Sequence, residues 1–134
     1  MYASFEGWPQ VIQILLTAGA DVNAKTVEGE TALSIASSVR GMPAIDSDRR
    51  LEVVRLLLDE GANINAATNF GGTALTGAAF IGALDRVKLL VENGADLFAI
   101  NSKGQTAMSH AITKGYTDVV QYLQEAIANS SAGE

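Results

Sequence analysis

LLTAGADVNA at residues 15–24, LLDEGANINA at 57–66 and LVENGADLFA at 90–99 are three versions of one phrase. In each, an apolar pair ends an amphipathic segment and a glycine follows, at Gly19, Gly61 or Gly94. A glycine there reads as a left-handed helix stop. The small residue and Asp or Asn behind it turn the chain outward. A second phrase recurs out of step with the first, as GETALSIA from Gly29, GGTALTGA from Gly71 and GQTAMSHA from Gly104. Its threonines, Thr31, Thr73 and Thr106, are separated by 42 and then 33 residues. Repetition at a period near 33 predicts stacked helical repeats.

These phrases resemble the ankyrin repeat. The family pattern opens with Gly-x-Thr-Pro-Leu-His-x-Ala and places a Gly between two helices. A Val-Val-x-Leu-Leu-Leu second helix follows, then Gly-Ala-Asp-Val-Asn-Ala. Here Ala32, Ala74 and Ala107 replace the Pro, and Ser34, Thr76 and Ser109 replace the His. The resemblance covers about residues 3–123. It implies an all-α solenoid, an L-shaped stack of helix-turn-helix pairs with projecting β-hairpin loops. It also implies protein binding and no chemistry.

One domain is expected over residues 1–129, in four units. Residues 1–25 read as a truncated repeat, because aligning Gly7 with Gly82 and Gly115 leaves 1–6 as only the tail of a first helix. Its second helix starts at Pro9, where a missing N–H costs nothing, and Val11, Ile12, Leu15 and Leu16 form the buried stripe. Tyr2, Phe5, Trp8 and Ile14 leave this end without the polar cap a solenoid needs. The chain is therefore expected to begin inside a longer array or to dimerise there. Residues 26–67 carry about nine extra residues within RGMPAIDSDRR, 40–50. Thr31 caps a helix running to about Val39, and the next helix is expected to resume at Leu51. Asp46, Asp48, Arg49 and Arg50 are expected in solvent. Met42, Pro43 and Ile45 could form a binding bump, but a tolerated surface insertion is the reading preferred.

Residues 68–100 have the family length. Arg86 stands where the neighbouring repeats have Val53 and Val119. That demands an exposed edge or a carboxylate partner, with the stem packed and the head in water. Residues 101–129 read as a polar C-terminal capping repeat and 130–134 as a frayed tail.

Composition excludes several classes of function. A net charge of −6, with Arg49–Arg50 the only basic doublet, argues against sequence-independent nucleic-acid binding. The absence of cysteine removes disulfides, thiolate metal sites and a thiol nucleophile. No apolar run approaches the ~20 residues that span a bilayer, and no basic segment precedes an apolar one at the amino end. A cytoplasmic protein is expected. No Gly-rich loop leads to a Lys-Ser/Thr pair, and Asp46-Ser47-Asp48 lacks the Gly and closing Glu of a calcium loop. No cofactor or metal is expected. His110, the single histidine, reads as a first-helix packing residue rather than a catalyst.

Ankyrin-like proteins bind through hairpin tips and the exposed side of each first helix. The resemblance places Val27, Glu28, Glu30, Asn69, Phe70, Phe80, Ile81, Ile100, Lys103 and Gln105 there. Phe70, Phe80, Ile81 and Ile100 are apolar at positions the fold should leave open, and Phe98 replaces the Asn of Asn23 and Asn65. Those two asparagines are expected to hydrogen-bond their own turns. The function read from the sequence is a non-enzymatic module binding a protein partner through its concave helix and hairpin face. The alternatives are an accessory domain of a larger enzyme-containing protein, or a self-associating structural module. A monomer is expected, with a dimer through the amino-terminal face as the alternative.

Overall fold

The computed structural model describes residues 14, 16–38 and 47–132. What the sequence predicts for residues 1–13, Leu15, Val39 to Asp46 and 133–134 lies outside that part. The described residues form α1 (Ala32–Ser38), α2 (Ser47–Asp59), α3 (Ala74–Ile81), α4 (Leu84–Glu92), α5 (Ala107–Lys114) and α6 (Thr117–Ala132). The short first helices α1, α3 and α5 pack side by side. Each also packs on the second helix that follows it, and α2, α4 and α6 form the other layer. Among the described residues no strand forms. The projecting tips are turns, closed by Thr26 N donating to Glu30 O, Thr68 N to Gly72 O and Asn101 N to Gln105 O.

Each first helix starts with a reciprocal pair of hydroxyls. Ser34 N donates to Thr31 Oγ1 at 3.1 Å while Thr31 N donates to Ser34 Oγ at 2.9 Å. Thr73 with Thr76, and Thr106 with Ser109, repeat the arrangement. The hydroxyls standing in the family's His position are thus capping groups, each pair satisfying backbone donors that the helix start leaves open.

The two layers differ in side-chain size. Ala36, Ala74, Ala78, Ala79, Ala107 and Ala111 are buried in the first layer, and α1 and α3 approach closely. A Cβ on Gly77 would lie 2.7 Å from the Ser38 Cβ. The second layer buries Val53, Val54, Leu57, Val87, Leu90, Val119 and Leu123. Each such side chain contributes about 1.5–3 kcal/mol, so the second layer carries most of the burial while the first sets the spacing. Gly82 ends α3 at a φ of +75°, and a Cβ there would lie 2.8 Å from the Tyr116 ring. Backbone and packing both demand glycine.

Three expectations need correction. Helix α2 begins at Ser47, not Leu51; Asp48 falls in its first turn, where a carboxylate complements the helix dipole. Arg50 lies on this added turn and is buried, not solvated. At the other end α6 continues to Ala132, so residues 130–132 are helical rather than frayed.

Arg86 departs from expectation as well. Its head does not reach water: the residue is buried, and Nη1 donates to Ala36 O and Ser37 O, each at 3.0 Å. The equivalent carbonyls of the next two repeats are capped by their own chain. Ala83 N donates to Ala78 O and Gly82 N to Ala79 O; Tyr116 N donates to Ala111 O and Gly115 N to Ile112 O. At the end of α1 the guanidinium of the following repeat serves the matching pair of carbonyls, a cation at the negative end of the helix. Burial pushes the Arg86 pKa below its ordinary value, with nearby Asp85 opposing the shift and Arg50 adding to it. Arg86→Val, which installs the neighbours' residue, is expected to lower stability by about 2–3 kcal/mol in urea titrations by taking a charged donor from two buried carbonyls. An unchanged or raised midpoint would show that the cap contributes nothing.

Candidate functional site

The tips project from a register set by backbone bonds. Asn69 N donates to Glu28 O at 2.9 Å, and one repeat on, Ser102 N donates to Phe70 O at 2.8 Å. Gly29 and Gly71 make this approach possible. A Cβ on Gly29 would lie 2.9 Å from Asn69 N, and one on Gly71 would lie 2.9 Å from Asn101 Cα. Side chains lock each turn internally: Thr68 Oγ1 accepts from Phe70 N and Gly72 N, and Asn101 Oδ1 from Lys103 N and Gln105 N.

On this frame the sequence-predicted residues divide. Val27, Phe70, Phe98 and Ile100 are exposed, the last three at 68 %, 58 % and 61 %. Glu28 and Lys103 are exposed beside them. Phe70 and Ile100 belong to adjoining tips, since Gly71 packs against the Ile100 carbonyl. Asn69 is exposed but committed, its Nδ2 donating to Val27 O at 2.8 Å. Glu30 and Gln105 are half-buried, and Gln105 Oε1 accepts from Asn101 Nδ2 at 2.9 Å. Ile81 is half-buried too, not open as expected.

Phe80 does not join the tip residues. It sits near the carboxyl end of α3, about 10 Å along the helix from its start. The His110 ring meets it edge-on at 5.4 Å between centroids, and Lys114 Nζ lies 4.6 Å from its centre. Burial, then the Lys114 charge, hold the His110 pKa below the ordinary histidine value. His110 is therefore half-buried packing on Phe80. The expected single apolar cluster is two groups, one at the tips and one at the helix end.

Contrary to the expectation from sequence, Asn23 and Asn65 do not hydrogen-bond their own turns. The residue two places earlier does: Asp21 Oδ1 accepts from Asn23 N, Asn63 Oδ1 from Asn65 N and Asp96 Oδ1 from Phe98 N. Asn23 Oδ1 instead accepts from Asn63 N at 2.7 Å, and its Nδ2 donates to Gly61 O. Asn65 Oδ1 accepts from Asp96 N at 2.8 Å. Each asparagine ties its repeat to the next. Phe98 breaks the series because the corresponding stretch of the fourth repeat lies inside helix α6, whose amides are already bonded. The substitution pattern was visible in the sequence, but its direction across the repeat boundary was not.

On the second-helix side, Leu84, Lys88, Asp118, Gln121, Tyr122 and Glu125 line an open groove of about 230 Å³ with mixed charge. Among the described residues no three His, Cys, Asp or Glu side chains are placed to hold a metal ion. None of the described helices is long and apolar enough to cross a membrane.

A family model described as ankyrin repeats in three copies matches residues 1–68 and 41–132. No curated protein matches the chain. Replacing Asn65 with Ala is expected to cost about 1 kcal/mol by chemical denaturation, the net value of its bond to the next repeat. Phe98→Asn should move the midpoint by no more than about 0.5 kcal/mol. Equal effects of the two changes would contradict this assignment.

Proposed function

The chain belongs to the ankyrin-repeat family, and on that premise we propose that it is a non-enzymatic module gripping a protein partner between its tips and first helices. The observation that carries the reading is the exposure of Phe70, Phe98 and Ile100 beside a backbone-bonded row of turns. Large apolar side chains exposed among polar neighbours are typical of interaction surfaces, and aromatic side chains are favoured interface anchors. Glu28 and Lys103 add one charge of each sign nearby, so the partner's contact is apolar with a mixed polar rim.

The difference between the layers supports the choice of face. Alanine, serine and Gly77 space the first helices more tightly than valine and leucine space the second. A stack so built bends toward its first helices, which makes their side concave. The cross-repeat bonds hold the anchors in place before the partner arrives, so little ordering entropy is lost on binding.

Affinity capture from a lysate of the source organism tests this, with wild type beside the Phe70→Ser, Phe98→Ser double variant. The variant is expected to melt within about 2 °C of wild type, as exposed substitutions do, and to hold the captured partner at least about 30-fold more weakly. Undiminished capture by the variant would refute the assignment of the face, and a large fall in melting temperature would make these residues core.

A further inference from the structure

Backbone bonds hold the three described tips in register, Asn69 N donating to Glu28 O and Ser102 N to Phe70 O. Glu28, Phe70 and Lys103 each stand three residues before the threonine that opens the following helix, at Thr31, Thr73 and Thr106. One equivalent position therefore reads acidic, aromatic, basic along the stack. All three side chains are exposed.

The flanking residues extend the pattern. From tip through first helix, residues 26–38 carry Glu28 and Glu30 and no base. Residues 68–81 carry no charged side chain, and residues 101–114 carry Lys103 and Lys114 and no acid. Lys114 Nζ lies over the Phe80 ring, so the basic repeat borders the apolar one. Lys25, just before the second tip, is already engaged, its Nζ donating to Ala67 O at 3.2 Å. The second helices show no such order, since α2 and α4 each carry acids and bases together. Charge is sorted by repeat on the tip and first-helix side.

We propose that the tip row binds an extended protein segment that is basic at one end, apolar in the middle and acidic at the other. Its basic end lies on Glu28, its apolar residues on Phe70 and its acidic end on Lys103. The proposal rests on the partner-binding reading above and adds the charge order of the partner. Complementary charges at an interface fix register and reject wrong partners more than they add affinity. Packed helices lie about 8–10 Å apart, so Glu28 and Lys103, two repeats apart, are separated by about 16–20 Å along the row. An extended chain advances about 3.3 Å per residue, which puts the charged ends of the segment about five or six residues apart.

Fluorescence anisotropy of two labelled, end-capped peptides of one composition tests the order. The separated peptide is Arg-Arg-Leu-Trp-Leu-Glu-Glu, and the mixed one is Arg-Glu-Leu-Trp-Leu-Arg-Glu. The full chain at low salt is expected to bind the separated peptide about five-fold more tightly. That preference is expected to shrink in about 0.5 M salt. Glu28→Lys and, separately, Lys103→Glu are exposed changes expected to melt with wild type and to remove the preference. Phe70→Ser is expected to weaken both peptides alike, by about ten-fold. Equal binding of the two peptides, still dependent on Phe70, would overturn the charge order and leave the partner surface standing. A preference that survives both charge reversals would overturn it too. Failure of both peptides to bind saturably would overturn this proposal alone, because capture through Phe70 and Phe98 is a separate readout. Binding indifferent to Phe70→Ser would contradict the charge order and the surface together.

Discussion

Adjacent repeats in this protein meet at backbone distance, and that closeness governs the rest of the structure. The amide of Asn69 reaches the carbonyl of Glu28, and that of Ser102 reaches Phe70. Contact of this kind leaves no room for a Cβ at Gly29 or Gly71, and α1 can approach α3 only where Gly77 faces Ser38. The small residues of the first layer follow from the same demand. Asn23 and Asn65 then fasten each repeat to its successor by bonds from side chain to backbone. No single repeat could bury its apolar face alone, so stability resides in these boundaries.

The second repeat tests how much local irregularity such a stack tolerates. It holds about nine more residues than the third repeat, and the carbonyls of Ala36 and Ser37 at the end of its first helix accept donors from outside their own repeat. Arg86, from the neighbouring repeat, supplies them. The arginine is buried where its counterparts are valines, so an unusual residue in one repeat answers an unusual length in another. The same rearrangement adds a turn to α2 and brings Arg50 into the interior beside it.

The repeat order, the helix starts at the three threonines and the helix stops at the glycines were all legible in the sequence. They are local signals, carried by residues whose conformational preferences act within four or five positions. What escaped was one local feature, the second hydroxyl of each helix cap, and several properties of the boundary between repeats. Ser34, Thr76 and Ser109 read as replacements for a family histidine, yet each completes a reciprocal cap. Arg86 read as half in water because neither its own repeat nor its spacing names the carbonyls it serves. Asn23 and Asn65 read as turn residues because the turn is adjacent in sequence and the amide that donates to each lies about one repeat away. Of the candidate surface, the exposure of Phe70, Phe98 and Ile100 followed from their positions. The engagement of Phe80 by His110 and Lys114 required the packing of α3 on α5.

A frame of this kind suits recognition, because contact residues are fixed by bonds that do not involve the partner. Amide hydrogen exchange at Asn69 and Ser102 measures that rigidity most directly. Both amides lie in exposed turns, where an unbonded amide exchanges within seconds to minutes. If the tips are locked across repeat boundaries, these two amides will be protected to nearly the level of the buried α3 and α4 amides. Exchange at the rate of an open loop would contradict the account, since the tips would then be ordered by the partner rather than presented to it.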